Sequence, residues 1–124
     1  MQSLLILGRQ PALGLAELES RFGADALTPV GLQAALLDVS TSEVRFTLGG
    51  SMKLAKVIAT IPAAQSPKIV NHIEQELPRL VATMPEGKIK FGISAYEIDV
   101  DGAAVSRSAL RLKKIVKSCG RSVR

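Results

Sequence analysis

Apolar residues fall in short runs whose spacing changes along the chain. Residues 3–8 (SLLILG) form a continuous run of strand length, read as a short buried strand. Pro11 ends it. Residues 15–22 follow a helical period that places Leu15, Leu18 and Phe22 on one face. Gly14 suits the N-cap of that helix, Glu17 its first turn and Gly23 its stop. Residues 26–30 and 33–39 read as an antiparallel strand pair with Gly31 between them. Ser40 and Glu43 stand at capping-box spacing, which predicts a short helix closed by Gly49 and Gly50. Residues 52–61 (MKLAKVIATI) read as a long strand.

The order strand, helix, strand, strand, helix, strand is that of a βαββαβ, ferredoxin-like domain. The fold class expected is therefore α+β, with this domain over residues 1–61 and a linker over 62–67. Ser66 then caps a helix with Pro67 at its first position. Pro78 is expected to split it into two pieces, ending near Met84. Residues 88–96 (KIKFGISAY) alternate, with Ile89, Phe91, Ile93 and Ala95 on one side and Lys88, Lys90 and Ser94 on the other, as in a half-buried strand. Asp99 to Gly102 has turn chemistry, residues 105–119 read as a helix ended by Gly120, and residues 121–124 begin a strand. A strand–helix unit that reaches its next strand normally goes on to pair with more. Residues 68–124 are therefore expected to be the first part of a truncated second domain; the other reading is a complete protein with a short edge strand. An unfinished edge invites pairing between chains, so a homodimer is expected.

Charge sharpens this picture. The 124 residues carry a net charge of +5, and the seven basic residues from 102 to 124 face no acid in that stretch. The rest of the chain holds nine basic and eleven acidic residues. On the helix, Arg107, Arg111, Lys113, Lys114 and Lys117 take one side, and Val105, Ala109, Leu112, Ile115, Val116 and Cys119 the other, with Leu110 among the charges. Two readings stand: a face that meets RNA phosphates, and a merely solvated face. The absence of any acid among the last 23 residues favours RNA. Arg121 extends the patch. Lys88 and Lys90 fit an ordinary solvent face.

Other chemistry is sparse. Phe22, Phe46, Phe91 and Tyr96 are all the aromatics, too few and too late in the chain for a sheet that stacks bases. His72 is the single histidine and Cys119 the single cysteine, so neither a disulfide nor a metal cluster is expected, and Cys119 is read as core. Asp99 and Asp101 lack the series of a calcium loop. No catalytic residue, phosphate loop or dinucleotide fingerprint is identified. No apolar run approaches the roughly 20 residues of a membrane span. With no signal peptide recognised, a cytoplasmic location and no membrane partner are expected.

Three segments carry a family resemblance. Residues 4–22 (LLILGRQPALGLAELESRF), 48–58 (LGGSMKLAKVI) and 91–96 (FGISAY) with 112–124 (LKKIVKSCGRSVR) resemble, in order, the opening of the archaeal and eukaryotic tRNA guanine-N2 methyltransferases. The resemblance implies a ferredoxin-like domain, the start of a THUMP domain, and a Rossmann-type catalytic domain outside these residues. It implies tRNA as partner, S-adenosylmethionine as the cofactor of that further domain, and no cofactor site in this chain. Arg107, Arg111, Lys113, Lys114, Lys117 and Arg121 are the RNA-binding candidates. The alternatives are another THUMP enzyme, such as a thiouridine synthase, and a ferredoxin-like regulatory or oligomerisation module with no RNA role.

Overall fold

The computed structural model describes residues 1–44, 47–61, 66–96 and 102–123, the side chains of 66 and 67 aside. Most of the expected linker, the Asp99–Asp101 turn and Arg124 lie outside the described residues. The chain divides into two compact units, Met1–Thr60 and Ile61–Arg124.

Among its described residues the first unit is a four-stranded antiparallel sheet with one α-helix. Its strands are β1 (Ser3–Leu7), β2 (Leu27–Val30), β3 (Ala34–Leu37) and β4 (Ser51–Lys56), in the order β2-β3-β1-β4. Helix α1 (Pro11–Phe22) connects β1 to β2, and β3 is inserted between those two strands. Cross-strand partners share a face: Leu5 lies opposite Ala35 and Leu54, and Leu37 opposite Leu27. That face meets Leu18 of α1, which is fully buried, and the buried Val44 and Leu48 close the same core. Ser3 is also fully buried, and its hydroxyl donates to the Val39 carbonyl at 2.6 Å.

Three expectations for this unit are corrected. Helix α1 starts at Pro11, so Pro11 opens the helix and Gly14 lies inside it rather than capping it. Proline has no N–H to leave unpaired in a first turn, and its φ is already helical. The helix expected after Ser40 is a turn at residues 41–43. The Glu43 N–H bonds the Ser40 carbonyl at 2.9 Å, while the Ser40 hydroxyl meets that of Ser42 at 3.0 Å instead of capping a helix. Gly49 and Gly50 follow too soon for a short helix to repay its nucleation. Val44 and Leu48 instead pack onto the core from irregular chain. Strand β4 ends at Lys56 rather than 61, because its partner β1 begins at Ser3; one bond, Val57 N–H to the Gln2 carbonyl, extends the pairing.

The second unit is built on two helices, α2 (Ser66–Ala82) and α3 (Gly102–Ser118), packed against each other. Helix α2 runs unbroken through Pro78, contrary to the expected split. Pro78 is exposed, so water can satisfy the carbonyl its missing N–H leaves unpaired. The core of this unit is small: Val81, Ile89, Val116 and Val123 are buried, with Leu77 and Phe91 packed against them.

Residues 88–96 do not form the expected strand. One parallel bridge joins Ile89 to Val123, with the Ile89 N–H on the Ser122 carbonyl at 2.8 Å. The alternation survives only at its start: Ile89 is buried and Phe91 half-buried, but Ile93 and Ala95 are exposed. A half-buried strand needs ladder partners along its length, and the 121–123 segment supplies one bridge. Gly120, at φ 80°, turns the chain out of α3 and leaves Cys119 exposed, which corrects its reading as a core residue.

Candidate nucleic-acid interface

Helix α3 positions its cations by the side it buries. Leu112 and Val116 lie one turn apart and are almost fully buried, and this fixes the rotation of the helix. Arg107, Arg111, Lys114 and Lys117 are then exposed and Lys113 is half-buried at the margin. Leu110, 61% exposed, lies within one turn of Arg107, Lys113 and Lys114. The basic arc predicted from the helical period is therefore present as an arc.

Two of the six candidates are engaged within the fold. The Arg111 guanidinium lies 2.8 Å from Glu74 Oε1 of α2. That carboxylate oxygen is shielded from solvent and has no hydrogen-bond donor in line with it, so the contact is an ion pair rather than an aligned hydrogen bond. Arg121 donates from Nη2 to the carbonyls of Pro85 and Gly87, the latter at 2.9 Å, and so ties down the turn that precedes Ile89. Gly87, at φ 121°, shapes that turn. Arg121 thus braces the 85–87 turn against the segment that follows α3. Sequence reasoning saw only its charge; the Pro-Glu-Gly turn at 85–87 was the available sign of carbonyls needing donors.

Arg107, Lys113, Lys114 and Lys117 have no carboxylate within ion-pair distance among the described residues. Lys88 and Lys90 are exposed on the 88–96 segment. His72 is half-buried on α2, and no group of three metal-ligating side chains occurs among the described residues. No helix of the described residues is long and apolar enough to cross a membrane.

Neither a protein-family model, nor a curated protein, nor a solved structure matches this chain. The arrangement of charge therefore has to be weighed on its own geometry.

A second polar arrangement lies in the first unit, where sequence reasoning expected only a helix-end charge. Glu17 is in the second turn of α1, and its carboxylate accepts the backbone N–H groups of Gly49 at 3.1 Å and Gly50 at 3.0 Å. Those bonds, from Gly50 and then Gly49, hold its pKa below the ordinary 4.5, with Arg21 adding to the effect and partial desolvation opposing it. Beside it, Gly14 and Gly50 touch so closely that a Cβ on Gly14 would sit 2.6 Å from the Gly50 carbonyl oxygen. The carboxylate thus joins α1 to the turn before β4.

Proposed function

We propose that the second unit binds RNA through the basic arc of α3, with tRNA as the partner and its phosphates as the groups contacted. The observation that carries this reading is the set Arg107, Lys113, Lys114 and Lys117, on one side of a helix, all exposed but the half-buried Lys113, and without carboxylate partners among the described residues. A solvated helix face usually mixes signs and pairs them along its length. This arc does not, so each of its cations is available to displace a counterion from a phosphate.

The tRNA guanine-N2 methyltransferase reading rests on the sequence resemblance. The strand order β2-β3-β1-β4, with β3 inserted into a β1–α1–β2 crossover, supports its ferredoxin-like part. The turn at 41–43 departs from that pattern, where a second helix was expected. The THUMP part draws support from the strand-like start at Ile89, α3 and the bridge at Val123. In that reading methyl transfer from S-adenosylmethionine belongs to the catalytic domain that the resemblance implies outside residues 1–124, and no chemical step is assigned to these residues.

The test is binding of the chain to an unmodified tRNA transcript with heparin as competitor, titrated against salt. Two or three phosphate contacts give a log–log slope of about −2. Changing Lys114 and Lys117 together to Glu is expected to weaken binding and flatten the slope. The same change at Lys53 and Lys56, in the other unit, is the control for bulk charge. Equal loss from both pairs, or none from either, rejects the α3 site.

A further inference from the structure

Glu74 faces the basic arc from the neighbouring helix, and nothing in the RNA reading uses it. Its side chain is only 20% exposed, against 60% for Arg111, and its Oε1 meets the Arg111 guanidinium at 2.8 Å. The other ion pair of α2, Glu76 with Arg79, lies within that helix at 3.7 Å and is more open to solvent. Glu74 is thus the one carboxylate among the described residues paired with a cation of the α3 arc.

We infer that Glu74 is an internal occupant of the phosphate position at Arg111, so that the phosphate contacts of the arc come from among Arg107, Lys113, Lys114 and Lys117 while Arg111 is withheld. This rests on the RNA reading and specifies which cations take part. A carboxylate and a phosphate offer a guanidinium the same chemistry, anionic oxygens that accept its N–H groups. A fixed carboxylate a few ångströms away competes at very high effective concentration, because it has already lost its translational freedom. It also cancels the local field that would draw a phosphate there. Arg111 is engaged even though most of its surface is exposed, so burial alone would have misjudged it. The same geometry makes Arg111→Glu a poor probe, since it would set a second carboxylate against a shielded one.

Five variants of the full chain, Lys114→Gln among them, test this with the same tRNA transcript and salt titration. Glu74→Gln keeps the side chain's size and removes its charge. It is expected to release Arg111, steepen the log–log slope by about 0.7 to 0.9, and tighten binding on the order of sixfold at 0.1 M salt. Glu76→Gln changes net charge equally and is expected to do much less. Arg111→Gln alone uncovers the Glu74 charge and is expected to lower affinity without changing the slope, and Glu74→Gln with Arg111→Gln is expected to return to the parent value. Thermal melts accompany each variant. The inference is overturned if Glu74→Gln tightens binding no more than Glu76→Gln, or if the gain survives loss of Arg111. It is also overturned if Arg111→Gln alone flattens the slope as much as Lys114→Gln, a comparison that holds even should Glu74→Gln fail to fold. Failure of the underlying reading looks different: the parent chain then shows no salt-dependent tRNA binding, or loses none with Lys114 and Lys117.

Discussion

The two units are close to the same length but solve different problems. Met1–Thr60 has a sheet, a helix and a core fed from both, whereas Ile61–Arg124 has two helices, a single parallel bridge and a smaller core. Their charges differ as sharply. In the first unit Arg9, Arg21, Arg45, Lys53 and Lys56 are balanced by Glu17, Glu19, Asp25, Asp38 and Glu43, so the whole excess of +5 belongs to the second. The neutral unit spends its polar groups inward, as Ser3 on Val39 and Glu17 on Gly49 and Gly50 show. The basic unit leaves most of its α3 cations facing water. Core depth and unpaired surface charge are thus divided between the halves, as expected where like charges held together oppose compaction.

The contrast in core depth carries the largest predicted effect. Leu18→Ala empties a fully buried site in the first unit and should cost about 2–5 kcal/mol. Val116→Ala in the second removes two buried methyl groups and should cost about 2 kcal/mol. Hydrogen exchange read separately on the amides of each unit checks this. Equal losses of protection would mean that the smaller core holds its unit as firmly as the sheet holds the other.

Gly14→Ala is the next largest and separates packing from propensity. Alanine is the better helix former by about 1 kcal/mol. The 2.6 Å approach to the Gly50 carbonyl requires backbone to move, so a net loss of about 1–3 kcal/mol is expected. A stabilised variant in urea melts would show that α1 can lift off the turn freely.

The smallest effect concerns pH. The Glu17 carboxylate titrates below its ordinary 4.5 in the folded chain, so its contribution is fully present above that value. It is lost as pH falls through the lowered folded pKa. Melting temperature should therefore fall less steeply below pH 4.5 in Glu17→Gln than in the parent, from a lower starting value at pH 7. Parallel curves would remove Glu17 from the account of why the neutral unit is the better built.

How much of this was legible depended on whether the signal was local. The strand at β1, the β2–β3 pair around Gly31 and the amphipathic α3 each follow from a period that a few neighbouring residues set. The Ser40–Glu43 spacing misled because a capping box stabilises only a helix long enough to propagate, and Gly49 and Gly50 leave little room. Residues 88–96 misled because their alternation describes a strand's faces but says nothing of whether ladder partners exist. Pro78 misled in the other direction, since packing against α3 supports a helix that proline alone would interrupt.

By itself, then, the sequence determined the α+β content, the rotation of α3 and the gathering of the cations of α3 on one face, because each depends on residues within a turn or two. Only the tertiary structure decided which cations are free. Glu74 and Arg111 lie 37 positions apart, and the carbonyls that hold Arg121 lie more than 30 positions before it. An ion pair or a brace across such distances exists only once α2, α3 and the 85–87 turn have packed. No period along the chain encodes it.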